Sequence, residues 1–348
     1  MAVLLLVSWA TAGGASAQSR IDNIVDAEAQ AGHFNGALLA AKDGKLVSRL
    51  SRGQANFQFA VPIAAGTRLP IASMTKLFTA ILLLQLYEKA LVKLDDRVSR
   101  YVTGLPVNCQ DLTILDLLTH RSGLQNEPVQ AYATPLSTAD FIKQFVVKKT
   151  ASPAAFNYNN VDYILLTRVL EVAAKRPYPV LLQEQILQPL GMANSGVVSE
   201  ARIISGLAYG YHNYSYGSGK KEVPLNNDPP IYLSNYAGAG AMYSTPDDLY
   251  KLVLALRDNR LLSAKTTELL KKPQQLGFVV YARGRPTLGF YVNDKTFARP
   301  VLERRGSING FNSVLLTDEE FNKVVILLAN TDTGDLELMG DKIYTALE

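Results

Sequence analysis

A serine and a lysine lie three residues apart at the start of an otherwise apolar run. Ser73 and Lys76 belong to the stretch PIASMTKLFTAILLLQ, residues 70–85. On a helix this spacing places both side chains on one face, one turn apart. A serine hydroxyl is a poor nucleophile until a base takes its proton, and a lysine in a dry site has a lowered pKa and can help to do so. The pair therefore predicts a nucleophile with its activator on a buried helix.

The alternative interpretation is that Ser73 caps a helix and Lys76 extends into solvent. The same spacing recurs at Ser218 and Lys221, in the glycine-rich stretch YGSGKKE, so spacing alone does not identify a site. Pro70 and the break in pattern place Ser73 near a helix start. Unpaired N–H groups and the helix dipole favour developing negative charge there.

The elements that would position this pair are strands at both ends of the chain, with helices between them. Two runs flank Asp43–Gly44, a strong hairpin signal, and residues 73–93 are apolar nearly all round, which favours a buried helix. Helices are also expected at 21–31 and 336–347. Strand patterns return in the stretches LGFVVY, TLGFYVND, RPVLERRGS, NSVLLTD and KVVILLANT.

The fold class that this order predicts is α+β. One antiparallel sheet is built from both chain ends and flanked by helices. Its α/β part covers about 18–94 and 237–348, and a helical subdomain is inserted at about 95–236. We expect residues 18–348 to form one catalytic domain.

Composition excludes several classes of function. The chain has 348 residues, of which 19% are charged, and a formal net charge of only +4. This balance favours an ordinary solvated surface over nucleic-acid binding or a polybasic membrane patch. Cys109 is the single cysteine, so no intramolecular disulfide can form. The three histidines, at positions 33, 120 and 212, lack metal-ligand spacing, and we expect no metal and no cofactor.

The first seventeen residues, MAVLLLVSWATAGGASA, differ from the rest of the chain. They contain a short apolar run and end in an A-x-A pattern, as a signal peptide cleaved after Ala17 would. No Lys or Arg precedes the run, which is too short to cross a bilayer. The segment predicts a secreted or periplasmic protein without a transmembrane segment. A frayed helix is the alternative.

Several longer stretches carry a family resemblance. RLPIASMTKLFTAILLLQLYEKALVKLDDRVSRYV resembles the first active-site block of serine hydrolases related to class C β-lactamases, D-alanyl-D-alanine carboxypeptidases and related esterases. LTILDLLTHRSGL, FNYNNVDYILLTRVLEVAAKRPY, QILQPLGM, YAGAGAMYSTPDDLYKL and RRGSINGFNSVLL resemble later blocks, in the family's order. The resemblance spans about residues 20 to 345. It implies a β-lactamase/transpeptidase-like fold and an acyl-enzyme at Ser73.

The family's second motif, Tyr-x-Asn, resolves an ambiguity by position. The pattern occurs three times, but only Tyr158 and Asn160 follow a phenylalanine and open a helix, as the family requires. The resemblance implies that Lys76 and Tyr158 form the proton network that activates Ser73 and protonates the leaving group. How the two divide that work stays open. Asn160 would orient Lys76 and the acyl amide of a substrate.

The third motif departs from the family pattern. A lysine or histidine is usual, whereas ERRGSINGF places Arg304 there, with Gly306 as the glycine. The resemblance implies an oxyanion hole from the backbone N–H groups of Ser73 and Ser307. Strand alternation puts Arg304 on the face of Gly306 and turns Arg305 away. Arg304 is expected to bind a substrate carboxylate, and a solvated arginine is the alternative.

The resulting functional prediction is a secreted serine hydrolase. Its substrates would be small esters, D-amino-acid peptides or β-lactams, as small molecules or fragments derived from peptidoglycan. The altered third motif favours an esterase or D-peptidase over a dedicated β-lactamase. The alternative is a catalytically impaired binding protein on this scaffold that recognises peptidoglycan-like or β-lactam ligands. The shared motifs do not select among these substrates, and they do not indicate an oligomeric state.

Overall fold

A computed structural model describes residues 16–213, 224–274 and 284–348 of the chain. The α-helices of these ranges are α1 (Ala17–Gln30), α2 (Thr75–Glu88), α3 (Ile114–Leu118), α4 (Thr138–Phe145), α5 (Asn160–Ala174), α6 (Tyr178–Leu182), α7 (Pro246–Arg257), α8 (Ala264–Lys271) and α9 (Leu336–Ala346). A π-helical turn, Gln183–Leu187, extends α6. Short 3₁₀ segments include Ala72–Met74, Val129–Tyr132 and Leu233–Ala239.

The strands of the same ranges are β1 (Gly36–Lys42), β2 (Lys45–Arg52), β3 (Gln54–Asn56), β4 (Val61–Pro62), β5 (Leu69–Pro70), β6 (Gly196–Val197), β7 (Tyr211–His212), β8 (Asn226–Asn227), β9 (Met242–Ser244), β10 (Arg285–Pro286), β11 (Tyr291–Asn293), β12 (Val301–Ile308), β13 (Phe311–Thr317) and β14 (Lys323–Ala329). The predicted strand LGFVVY falls at 276–281, outside the described residues.

The predicted fold class is confirmed, because one antiparallel sheet joins both ends of the chain. Its strand order is β10-β11-β12-β13-β14-β1-β2, so the first strands lie beside the last long strand. Asp43 and Gly44 form the predicted β1–β2 turn, both with positive φ, at 53° and 76°. Such turns match the right-handed twist of the flanking strands.

Helices cover both faces of this sheet. On one face, α1 and α9 pack against alternate residues of the central strands, such as Leu38 and Val314. On the other face, Leu39 and Leu315 belong to a larger core that continues through α2 into α5. The apolar side chains of the middle region thus share one continuous core with the sheet.

The helix α2 runs through this larger core. All of its residues from Thr75 to Leu86 are buried, which explains the lack of a polar face in the sequence. It ends at Glu88, five residues before the predicted end. Ser73 lies just ahead of it in the 3₁₀ turn, and the preceding Ala72 has a left-handed φ of 46°. Non-glycine residues rarely adopt this conformation, and here it turns the chain from β5 into the helix.

The structure describes only the last two residues of the predicted signal segment, Ser16 and Ala17. Residues 1–15 of the predicted signal segment lie outside the described residues. Ser16 caps α1 through its side chain, and the helix begins at Ala17, four residues earlier than predicted. None of the helices in the described ranges is long and apolar enough to cross a bilayer.

Candidate active site

Lys76 is the centre of a hydrogen-bonded group around Ser73. Its Nζ lies 3.2 Å from Ser73 Oγ, 2.7 Å from Asn160 Oδ1 and 2.8 Å from the carbonyl oxygen of Ala239. Lys76 is fully buried, so the alternative in which it extends into solvent is wrong. The amide oxygen and the carbonyl oxygen can only accept hydrogen bonds, whereas the serine hydroxyl can also donate one.

The Ala239 carbonyl reaches Lys76 because the chain kinks just before it. Ala237 has φ 44° and ψ −130°, which breaks the 3₁₀ segment Leu233–Ala239. The carbonyl of Gly238, which lies between Ala237 and Ala239, accepts a hydrogen bond from Thr79 Oγ1 at 2.7 Å. A Cβ at Gly238 would lie 2.5 Å from the hydroxyl oxygens of Thr79 and Thr167. Only glycine therefore lets this segment approach α2 so closely.

The environment of Lys76 favours its neutral form. Burial lowers the pKa of Lys76 well below its usual value, and the positive charge of Arg304 lowers it further. The carboxyl groups of Glu127 and Asp162 act in the opposite direction but do not reverse the shift. A lysine whose pKa is lowered in this way can accept a proton near neutral pH.

Tyr158 lies beside this amine. Its ring centroid is 4.8 Å from Lys76 Nζ, and its hydroxyl oxygen is buried although the residue is only half-buried. Burial raises the pKa of Tyr158, while the charge of Arg304 and a side-chain hydrogen bond with Ser73 oppose the rise. The phenol is therefore neutral at neutral pH, and in that state it can donate a proton.

The two other Tyr-x-Asn patterns have different surroundings. Tyr211 lies on β7, and its hydroxyl accepts a hydrogen bond from the backbone N–H of Phe57 at 2.9 Å. Tyr291 lies on β11, with its ring 5.8 Å from the guanidinium carbon of Arg304. The structure brings only Tyr158 into contact with both Ser73 and Lys76 among these three tyrosines of the described ranges.

A buried histidine and aspartate lie beside the Tyr158 ring. His120 Nδ1 lies 2.9 Å from Asp162 Oδ2. The centroid of the His120 imidazole lies 4.6 Å from that of the Tyr158 phenol ring. Burial raises the pKa of Asp162 and lowers the pKa of His120, and the charges of Lys76 and Arg304 add to the latter shift. Both shifts favour the neutral forms of these groups, because an unsolvated buried charge is unfavourable.

Arg304 is buried against the nucleophile, at 4% exposure, so the alternative of a solvated arginine is wrong. Its Nη2 and Nε donate to the backbone carbonyl oxygen of Ser73 at 3.0 and 3.3 Å. This edge of the guanidinium holds the Ser73 main chain and is not available for a two-pronged carboxylate contact. Arg305 points away, as alternation predicts, and pairs with Glu337 of α9 at 2.5 Å.

Gly306 allows β12 to pack directly on the turn that carries the nucleophile. A Cβ there would lie 2.3 Å from the Ile71 carbonyl oxygen and 2.7 Å from Ser73 N. The β12–β13 hairpin closes at the pair Ile308–Phe311 around a two-residue loop. Because the closing pair of such a loop is hydrogen-bonded, the Ser307 N–H points away from β13, towards the strand edge beside Ser73. Ser307 is exposed.

Sequence reasoning missed one carboxylate of the site. Glu127 Oε1 accepts a hydrogen bond from Asn160 Nδ2 at 2.9 Å, so it lies one amide away from Lys76. It follows the HRSGL stretch by only three residues, but no periodic pattern marks it. Its neighbour Asn126 donates instead to the Tyr158 carbonyl oxygen at 3.1 Å.

We next consider whether the described residues could bind a metal ion. In the ranges that the structure describes, no cluster of three or more His, Cys, Asp or Glu side chains could hold a metal ion. What the site does hold is a hydroxyl, an amine whose pKa is lowered by burial, a phenol and two strand or turn N–H groups. These are the groups that acyl transfer through a serine requires.

Comparison with known proteins agrees with this chemistry. A family model described as Beta-lactamase matches residues 21–347. The teichoic acid D-alanine hydrolase of Staphylococcus aureus is 27% identical over 323 residues, which cover 92% of this chain and 76% of that protein. The putative penicillin-binding protein PbpX of Bacillus subtilis strain 168 is 27% identical over 316 residues, which cover 90% and 75%.

Solved structures extend the similarity to the fold. The D-amino acid amidase from Ochrobactrum anthropi SV3, complexed with D-phenylalanine, superposes with a TM-score of 0.82. The match has 23% sequence identity and covers 95% of this chain and 98% of that chain. EstCE1, a hydrolase with promiscuous acyltransferase activity, superposes with a TM-score of 0.77 at 19% identity, covering 95% and 98%.

Proposed function

The chain belongs to the Beta-lactamase family of hydrolytic serine enzymes, and from this premise we propose that it hydrolyses small D-aminoacyl esters and amides through an acyl-enzyme at Ser73. The observation that carries the proposal is the arrangement around Lys76 Nζ. When the amine is neutral, its two N–H groups satisfy Asn160 Oδ1 and the Ala239 carbonyl. Its lone pair is then left for the Ser73 hydroxyl, 3.2 Å away.

The acylation step follows from these contacts. Ser73 Oγ attacks the substrate carbonyl carbon while its proton moves to Lys76 Nζ. The tetrahedral oxyanion accepts hydrogen bonds from the N–H groups of Ser73 and Ser307, each worth roughly 3–4 kcal/mol in the transition state. Tyr158 donates its proton to the leaving oxygen or nitrogen as the bond breaks, and it recovers a proton from Lys76. Water then hydrolyses the ester formed at Ser73.

The choice of substrate class rests on two supports. Relatives that align over most of the chain include a teichoic acid D-alanine hydrolase, and the fold is shared with a D-amino acid amidase. The Nε–Nη2 edge of Arg304 is occupied by the Ser73 carbonyl, which leaves only the Nη1–Nη2 edge for a two-pronged carboxylate contact. Both favour esters and amides of D-amino acids, including fragments of the cell envelope, over β-lactams. Such substrates and the signal-like segment at 1–17 fit a secreted or periplasmic enzyme.

The rival proposal is a binding protein that has lost turnover. Intact-mass spectrometry after incubation with a fluorophosphonate separates the two, because only an activated serine adds the probe. We expect one adduct per chain, mapped to the peptide that contains Ser73. A substrate panel of D-alanyl ester, L-alanyl ester, D-amino acid amide and cephalosporin should then show fastest turnover on the D-alanyl ester. An unlabelled chain that binds D-aminoacyl ligands would support the rival.

Tyr158→Phe should reduce kcat/KM by roughly 10²–10⁴-fold, the usual contribution of a general acid or base. The change keeps the ring beside Lys76 and His120 and removes only the hydroxyl. The loss should be smaller for a p-nitrophenyl ester, whose leaving group needs no proton, than for an amide. Tyr211→Phe is the matched control, because its hydroxyl lies in another hydrogen-bonded group. If Tyr211→Phe is inactive and Tyr158→Phe is not, the assignment is wrong.

Arg304→Ala should lower kcat/KM on neutral and carboxylate-bearing substrates alike. Losing two charge-assisted hydrogen bonds to the Ser73 carbonyl corresponds to about 10- to 100-fold, from roughly 1.5–3 kcal/mol. Removing this positive charge also raises the pKa of Lys76, so the acidic limb of the rate profile moves to higher pH. Arg305→Lys, which keeps a cation beside Glu303 and Glu337, is the control and should match the parent. A loss confined to the charged substrate would restore the carboxylate hypothesis.

A further inference from the structure

Glu127 extends the site by one more side chain. Its Oε1 accepts hydrogen bonds from Asn160 Nδ2 at 2.9 Å and from the hydroxyl of Tyr132. Tyr132 is buried and stacks on Tyr236, with ring centroids 3.9 Å apart and planes 9° from parallel. A continuous path of polar contacts therefore runs from Ser73 through Lys76, Asn160 and Glu127 into the middle region of the chain.

The second carboxylate oxygen of Glu127 lowers the stability of the folded chain. Oε2 is buried and has no hydrogen-bond partner among the described residues. An unpaired buried carboxylate oxygen destabilises a protein, and a tyrosine or leucine could have filled the same space. The position therefore points to a role in the site.

We propose that Glu127 is the positioning residue that orients the Asn160 amide, so that the lone pair of Lys76 stays directed at Ser73, and that it opposes the positive charge of Arg304 beside the amine. This inference rests on the proposed function and adds a residue to it. A carboxylate accepts hydrogen bonds but cannot donate them, so it fixes Asn160 with Nδ2 towards itself and Oδ1 towards Lys76. In the flipped amide, Nδ2 would donate into the Lys76 lone pair, and the amine could no longer accept the Ser73 proton.

The charge of Glu127 gives a second, separable effect. Charged and titratable groups surround Lys76. They come from the loop after α3 (His120 and Glu127), the segment before α5 (Tyr158), α5 itself (Asp162 and Tyr163) and β12 (Arg304). The carboxyl groups of Glu127 and Asp162 oppose Arg304 in their effect on Lys76, and Glu127 acts more strongly than Asp162. Removing the Glu127 carboxylate destabilises the ammonium, so the pKa of Lys76 should fall further.

Two substitutions separate orientation from charge. Glu127→Gln keeps a carbonyl oxygen for Asn160 Nδ2 but removes the charge. Two unit charges one amide apart shift each other's pKa by about one to two units at an effective dielectric constant near 20, and solvent around the half-buried Glu127 brings the shift towards one unit. We therefore expect the acidic limb of fluorophosphonate labelling to move down by about one pH unit, with less than a 10-fold change in the plateau rate. Glu127→Ala removes the acceptor of Asn160 Nδ2, so the Asn160 amide can rotate. The plateau labelling rate should then fall by about 10- to 100-fold.

An activity-independent measurement keeps this inference apart from the proposed function. The titration of Lys76 is followed by NMR in protein labelled with [ε-¹³C]lysine, with the resonance assigned by its loss in Lys76→Met. Glu127→Gln should lower that pKa by the same unit. Glu171→Gln is the control, because it removes a half-buried carboxylate from the far end of the helix that carries Asn160, and it should change neither readout.

The outcomes are distinct. A shifted Lys76 titration together with a shifted labelling profile supports the role of Glu127. A shifted titration in a chain that never labels supports the role of Glu127 and overturns the proposed function. An unchanged titration in Glu127→Gln, or a parental plateau rate in Glu127→Ala, overturns the inference. Because the Gln variant is isosteric, a folding defect in the Ala variant leaves the test intact.

Discussion

Ser73→Ala should abolish covalent labelling by a fluorophosphonate and lower turnover by roughly 10⁴–10⁶-fold, the range seen when a catalytic unit loses its nucleophile. The substitution removes one hydroxyl from a half-buried turn. Lys76 keeps its contacts to Asn160 and Ala239, and Arg304 keeps the Ser73 carbonyl, because neither contact involves the hydroxyl. The melting temperature should therefore stay close to that of the parent, so that lost activity reports chemistry and not unfolding.

The second Ser-x-x-Lys pattern supplies the matched control. Ser218 lies outside the described residues, and Ser218→Ala should label at the parental rate. Labelling that persists in Ser73→Ala but disappears in Ser218→Ala would show that the other serine is the nucleophile. Loss in both single variants would instead indicate an indirect effect of the 214–223 segment, and peptide mapping of the adduct would decide between them.

Lys76→Met should lower the acylation rate by several orders of magnitude while filling most of the space of the lysine. Residues that act as one unit fail together, so the loss should approach that of Ser73→Ala. In the parent, the acidic limb of the rate profile reports deprotonation of Lys76, and the rate rises with pH until the amine is neutral. That limb should vanish in the variant. Lys89→Met, at the exposed end of the same helix, should leave both rate and profile unchanged.

Stability should respond to Lys76→Met in the opposite sense to activity. Because burial lowers the pKa of Lys76, the unfolded chain binds a proton there that the folded chain releases. The free energy of unfolding therefore rises with pH between the folded and unfolded pKa values of this amine. An apolar side chain has no such penalty, so the variant should melt at or above the parental temperature near neutral pH. A variant that is both less stable and inactive would mean that Lys76 is chiefly structural.

Much of the fold could be predicted from local patterns. Short apolar runs marked β12, β13 and β14, and the Asp43–Gly44 turn marked the first hairpin, because each depends on neighbours within a few residues. The burial of α2 followed from the absence of a polar face. Helix ends were less certain: α1 begins earlier and α2 ends earlier than the periodicity suggests, since caps and fraying depend on contacts with other elements.

The sequence by itself determined the chemical types and order of the site residues: a serine and lysine one helical turn apart, a Tyr-x-Asn that opens a helix, and a cation before a glycine on a strand. Only the tertiary structure decided which atoms meet. It directed Arg304 to the Ser73 carbonyl, because β12 packs against the 3₁₀ turn at Gly306. It also brought Glu127 to Asn160 across 33 positions of sequence. Contacts across such separations depend on strand register and loop path, and neither leaves a periodic trace in the sequence.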